Sequence, residues 1–260
     1  MLSEEKIKVE FLSQPTLNNP ILICGLPGSG YVGKIAVDYI VEKLHGTRFA
    51  DIYSSSFPPQ VMIQSDGTVD LIKNSLYFCK NNTNDLVILT GDAQPVSAQA
   101  EYALSEEILN ICKKLKIDEI YTLAAYITEK FSKTPKVFGT STSLEVVKEF
   151  SNYDVIKMNR GSITGMNGVI IGTAKKSSVR ATCLLGETSG YVIDAKASKT
   201  VLEVLSKMLK IEIDMSELNK KAIDTEQVIK SIESQAASQL GAMQPIGIPT
   251  KDEKRLDYIS

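Results

Sequence analysis

The chain has 260 residues, of which 43% are hydrophobic and 23% charged, with a formal net charge of -2. That length can bury a sizeable core, and the composition is ordinary for a globular protein. The near-neutral balance excludes a broad electrostatic grip on nucleic acid or an anionic membrane, and no apolar run is long enough to span a bilayer.

The amino-terminal Met1-Leu2-Ser3-Glu4-Glu5-Lys6 is charged at once and lacks an apolar signal core, which predicts a cytoplasmic location. Lys6–Leu12 alternates Ile7, Val9 and Phe11 on one face, as a half-buried strand does. Pro20–Cys24 is a short buried strand, and Tyr31–Leu44 carries Val32, Ile35 or Ala36, Tyr39, Ile40 and Leu44 at helical spacing.

The turn between that strand and helix, Gly25–Lys34 (GLPGSGYVGK), matches two nucleotide-binding patterns. Gly28, Gly30 and Gly33 have the dinucleotide spacing, while Gly28, Gly33 and Lys34 have that of a phosphate-cradling loop. The second pattern needs a hydroxyl after the lysine to hold magnesium, and Ile35 stands there. The first needs a ribose-binding acid at the end of a strand; Asp51 is at the right distance, but alternation places it inside one. The simpler reading is that these glycines permit a tight turn and close helix packing. No cofactor and no metal are expected.

His45, the single histidine, ends the first helix, with Gly46 expected as its C-cap. Asp66-Gly67 signals a hairpin between Gln60–Gln64 and Thr68–Cys79. Leu86–Thr90 is a continuous apolar strand; Ser97 is the expected N-cap of a helix striped by Leu104, Ile108, Ile111 and Leu115. Strands are predicted at Ile120–Ala125, Lys136–Gly139, Tyr153–Met158 and Val179–Gly186, with helices over Ser143–Phe150 and Ala195–Leu209. The four cysteines, Cys24, Cys79, Cys112 and Cys183, lack zinc or redox spacing.

Strands alternating with helices predict an α/β fold, doubly wound, with a mostly parallel sheet and one antiparallel hairpin. In such sheets ligands bind at the carboxyl ends of the strands, where Asp92, Gln94, Glu187, Thr188, Tyr191 and Asp194 collect. Glu187 and Asp194 read first as caps of following helices and, alternatively, as a catalytic carboxylate pair with Asp92 nearby.

The last fifty residues differ. Asp214–Glu217 has the form of a capping box, and Leu218, Ala222, Thr225, Ile229, Ile232, Ala236 and Leu240 make a heptad-like seam. It suits packing on another copy of the chain or on its own body. From Gly241 the composition is that of a flexible linker, ending in Leu256-Asp257-Tyr258-Ile259-Ser260, which suggests a short docking motif. The expected division is an α/β domain over 1–213, a helical extension over 214–240 and a tail over 241–260.

Six stretches in order carry a family likeness: Gly25–Gly33, Leu89–Pro95 with Tyr102, Thr122–Tyr126, Pro135–Gly139, Gly165–Gly168 and Leu184–Tyr191. Together they resemble the proteasome assembly chaperone family in its archaeal form, over roughly residues 5–235. The resemblance implies a fold akin to nucleoside phosphorylases, no catalysis, self-assembly and binding to the α-ring of the proteasome core particle. It also implies a C-terminal tail of hydrophobic-Tyr-any residue that inserts between α-subunits. Tyr258 would be that tyrosine and Ser260 the terminal carboxylate, with Leu256 and Ile259 flanking. Tyr258 stands third from the end where the family has it second, and Asp257 takes the hydrophobic place before it. Self-association would run through Leu218, Ile229, Ile232 and Ala236. The competing reading is a phosphorylase-like or other nucleotide enzyme using the Gly28–Gly33 turn with Glu187 and Asp194.

Overall fold

The computed structural model describes residues 6–128, 130–227 and 229. Eleven strands and five α-helices follow one another as β1 (Ile7–Phe11), β2 (Ile21–Cys24), α1 (Val32–Lys43), β3 (Thr47–Ser54), β4 (Val61–Ile63), β5 (Val69–Leu71), β6 (Asn74–Cys79), β7 (Leu86–Gly91), α2 (Ala98–Lys114), β8 (Glu119–Ile127), β9 (Val137–Ser141), α3 (Leu144–Glu149), β10 (Val155–Lys157), α4 (Gly165–Lys176), β11 (Arg180–Thr188) and α5 (Ala195–Leu209). A further helical stretch covers residues 216–227.

Nine strands form one sheet in the order β1-β3-β6-β7-β2-β8-β11-β9-β10. Its centre, β7-β2-β8-β11, is parallel, and these strands are the near-continuous apolar runs expected where both faces are covered. The flanks break that direction: β1, β3 and β6 pair antiparallel in turn, β6 runs antiparallel to β7, and β9 runs antiparallel to β11 while pairing parallel with β10. The sheet is therefore mixed rather than mostly parallel. The anticipated hairpin forms, but β4 and β5 stand outside the main sheet, and Thr68–Cys79 breaks after Leu71 before β6 rejoins it.

Helices cover both faces. Val37, Ile40, Val201 and Leu205 of α1 and α5 pack on one face; Leu104, Ile108, Met166 and Ile170 of α2 and α4 pack on the other. Ser97 caps α2 as expected, its Oγ accepting from the Ala100 amide at 3.2 Å. The end of α1 differs from expectation. His45 itself adopts the left-handed conformation (φ 51°), its N–H donates to Glu42, and the Gly46 N–H donates to Val41 at 2.8 Å. Those two bonds form a Schellman closure with histidine where glycine is usual.

The carboxy-terminal seam is partly used up within the chain. Leu218 is fully buried in the core beside α1 and α5, and Ala222 and Thr225 are buried as well. Tyr39 donates to the Asp214 carbonyl at 2.6 Å, and Lys43 pairs with Glu217 at 2.8 Å. Glu217 thus serves α1 rather than closing a capping box, while Asp214 accepts from the Ser216 N–H at 2.9 Å. Leu218 is corrected from a self-association residue to a core residue. Ile229 is half-buried; Ile232, Ala236, Leu240 and the tail residues Leu256, Tyr258, Ile259 and Ser260 lie outside the described residues.

Candidate functional site

The parallel strands deliver their loops to one edge of the sheet. From β2 the chain passes through α1 to β3, returns inward through β6 to β7 beside β2, then crosses through α2 to β8 on the other side of β2. The crevice at such a reversal is where open α/β sheets bind ligands. A cavity of about 450 Å³ opens there, walled by Leu26, Val32, Tyr126 and Leu185, with Gln94 and Asn167 as polar members.

Close backbone approach shapes its floor. A Cβ at Gly33 would overlap the Leu123 carbonyl oxygen of β8, and one at Gly25 would overlap the carbonyl of Gly33. Gly30 adopts a left-handed conformation, φ 61°, in the 3₁₀ turn Ser29–Tyr31 that leads into α1. Helix seating thus accounts for Gly25 and Gly33, and turn geometry for Gly30, whereas a Cβ at Gly28 would meet only ordinary contacts. Gln94 then ties two loops together, its Nε2 donating to the Pro27 carbonyl at 2.6 Å and its Oε1 accepting from the Met166 N–H at 2.8 Å.

The phosphate-loop lysine does not reach this cavity. Lys34 donates to Asp38 at 2.6 Å and to Thr90 at 3.1 Å, and Thr90 donates to the other Asp38 oxygen at 2.6 Å. Asp51 is buried within β3 and accepts from Ser75 at 2.7 Å, so it is not placed as a ribose acid. ATP, GTP and NAD should therefore leave the thermal midpoint unchanged. A saturable shift that Lys34→Ala removes would reverse that reading of the turn.

The carboxylates do not assemble into a catalytic pair. Asp194 caps α5, accepting from the Ala197 N–H at 2.9 Å and from the Thr188 hydroxyl at 2.7 Å. Glu187 accepts from the Lys136 N–H at 3.0 Å, and Asp92 from the Lys73 N–H at 3.1 Å. None of the three lines the cavity. All four cysteines are buried free thiols. Burial pushes Cys79 up to about 11 and Cys112 and Cys183 up to about 12, so none offers a ready thiolate. His45 sits at the far end of α1, away from this edge. Among the described residues no group of three or more His, Cys, Asp or Glu could hold a metal, and no helix is long and apolar enough to cross a membrane.

The same edge is rich in exposed apolar groups. Ile127 lines the cavity, Tyr31 and the pair Tyr191 and Ile193 precede α1 and α5, and Val96 and Tyr102 lie near the start of α2; all are exposed. The β4–β5 ribbon, between β3 and β6 in the chain, stands outside the main sheet. Its register pairs Val61 with Leu71 and Ile63 with Val69, so four aliphatic side chains share one face. Ile63 is 77% exposed, Leu71 65% and Val69 60%. Sequence reading found the polar strand ends and the hairpin but missed this shared aliphatic face, which alternation around Asp66-Gly67 could have revealed.

Comparison with known proteins agrees with this architecture. The solved structure of Pyrococcus furiosus PbaB, described as an archaeal proteasome activator, is 32% identical, with a TM-score of 0.82 over 87% of this chain and 98% of that one. Pyrococcus furiosus PbaA, described as an archaeal homolog of proteasome-assembly chaperone, is 29% identical, with a TM-score of 0.73 over 90% of this chain and 95% of that one. An uncharacterized protein of Methanocaldococcus jannaschii is 35% identical over 229 residues, 88% of each chain. The PAC2 family model matches residues 22–233, and the chain belongs to the PAC2 family.

Proposed function

We propose that this chain is an ATP-independent, non-catalytic adaptor or assembly chaperone of the proteasome core particle, engaging its α-ring through Leu256, Tyr258, Ile259 and Ser260. The observation that carries the reading is the 32% identity to a proteasome activator over 87% of the chain. The edge described above supports it: the acids of the competing enzyme reading are engaged as caps and loop ties, while large apolar side chains face solvent. Mixing the full chain with isolated proteasome core particles at micromolar concentration should give one co-eluting complex. Separate elution at that concentration would overturn the reading.

Self-association accompanies this role. A two-stranded ribbon is marginally stable alone, and an exposed aliphatic face of this kind marks an interface. Val61, Ile63, Val69 and Leu71 are assigned to contacts between copies, together with Ile229, Ile232 and Ala236 of the carboxy-terminal seam. Light scattering should report an oligomer that Ile63→Asp with Leu71→Asp dissociates, since an unpaired charge buried at an interface costs several kcal/mol, roughly. Ile229→Asp with Ile232→Asp tests the seam in the same way. An oligomer unchanged by both double variants would place the interface elsewhere.

A further inference from the structure

We propose that the edge strand β1 docks a second copy of this chain, pairing antiparallel with its own counterpart about a two-fold axis through Val9. This contact is separate from the ribbon, the seam and the tail, and it needs no proteasome partner.

The backbone supplies the first observation. β1 ends the nine-stranded sheet, and among the described residues no strand lies beyond it. The Ser55 N–H donates to the Lys6 carbonyl at 3.1 Å, and the Leu12 N–H donates to the Phe49 carbonyl at 2.8 Å. The register between these two bonds is continuous, so the even-numbered residues of β1 bond to β3. The N–H and C=O groups of Ile7, Val9 and Phe11 therefore point outward. A row of such groups is a template for strand addition.

The second observation selects the occupant: Ile7-Lys8-Val9-Glu10-Phe11 is self-complementary. Setting Val9 opposite Val9 of a second copy puts Ile7 opposite Phe11 and Lys8 opposite Glu10, each twice by symmetry. Every outward backbone group of Ile7, Val9 and Phe11 is then paired. Lys8 and Glu10 take the intervening positions, where cross-strand side chains stand closest, and each meets the opposite charge. Within one chain these two pair only with each other at the surface, with side chains 73% and 41% exposed. Charges of one sign on an edge repel a second strand. Opposite signs placed symmetrically about Val9 instead favour an antiparallel copy in this register. A slip of two residues would set Lys8 against Lys8 or Glu10 against Glu10.

The apolar row is the third observation. Ile7 and Val9 are half-buried and Phe11 is exposed, whereas Ile52 and Ala50, opposite Val9 and Phe11 on β3, are fully buried. The row is open on its outer side, and the two-fold pairing continues it with the same three residues of the second copy. The opposite edge has no such symmetry, since β10 is only Val155-Ile156-Lys157 with a single charge.

The test uses full-length chains. Co-expressed copies, one carrying Lys8→Cys and the other Glu10→Cys, should form an interchain disulfide under mild oxidation, because directly opposed residues at these positions lie within disulfide reach. Either variant alone should remain uncrosslinked, and the four native cysteines are buried. Strength is read by sedimentation equilibrium in the Ile63→Asp, Leu71→Asp chain, which removes the ribbon contact. There Lys8→Glu should weaken self-association about tenfold, and adding Glu10→Lys should restore it. Val9→Pro removes an outward N–H without touching the β3 ladder, so it should abolish the contact with the fold intact. The disulfide is read with the ribbon present, so a failed ribbon assignment leaves this test standing. No disulfide between the two variants, equal crosslinking of like pairs, or association indifferent to Lys8→Glu would overturn the proposal.

Discussion

Gly33→Ala should cost on the order of 3 kcal/mol, at or beyond the upper end of ordinary overpacking. The added methyl would overlap the Leu123 carbonyl, a backbone atom of the buried centre strand β8 that has no rotamer to change. Either α1 lifts from the sheet or β8 shifts against β2 and β11. For a chain of this size that loss should lower the thermal midpoint by about 6–12 °C, read by calorimetry or circular dichroism. Gly172→Ala is the matched control. It lies inside α4 with open space around its Cβ position, so it should stabilise by about 0.5–1 kcal/mol through helix propensity alone. Two helical glycines should thus respond with opposite signs. An unchanged midpoint in Gly33→Ala would mean that α1 is not seated this closely on β8, and the packing account of the glycine turn would fail.

That contrast also explains what could be read from the chain beforehand. Glycine spacing at Gly28, Gly30 and Gly33 was legible as a turn, and Ile35 disqualified the magnesium site; only the structure shows that Gly33 seats on the Leu123 carbonyl while Gly30 takes the left-handed conformation. Helix α5 is visible as Val201, Leu205 and Met208 on one stripe with Asp194 before it, and it forms over the expected residues. Helix α4 went unrecognised because Gly165, Gly168 and Gly172 lower its propensity, although Met166, Ile170 and Ala174 recur every four residues and are buried. The mixed flanks of the sheet were not legible. Strand direction depends on which strands become neighbours, and β9 pairing antiparallel with β11 across some forty residues leaves no local trace. The cap at His45-Gly46 was placed one residue late, because the glycine preference at left-handed positions is a tendency that Schellman bonds to Val41 and Glu42 override here.

At the site, Asp92, Gln94, Glu187 and Asp194 were correctly placed near strand ends, but proximity in sequence to a strand end does not reveal which group a carboxylate faces. Asp194 faces the α5 amides and Thr188, and Gln94 faces two loops. The aliphatic face of the ribbon follows from the hairpin register, which pairs Val61 with Leu71 and Ile63 with Val69.

The tail decides the central claim. If the adaptor reading holds, the aromatic ring of Tyr258 and the carboxylate of Ser260 carry most of the contact with the α-ring. A buried aromatic anchor is typically worth about 2 kcal/mol or more, roughly a thirtyfold change in affinity for a single tail. Several tails on one oligomer engage a ring together, so each loss is multiplied in the assembled complex. The measurement is the affinity of immobilised proteasome core particles for the full chain, for Tyr258→Ala, for a chain ending at Asp257 and for one extended beyond Ser260. The account predicts a strong loss for Tyr258→Ala and for the extension, and no detectable binding for the chain ending at Asp257, with fold and oligomer size intact in all. Affinity equal to that of the full chain in all three variants would contradict it, and would assign any contact with the core particle to the α/β body.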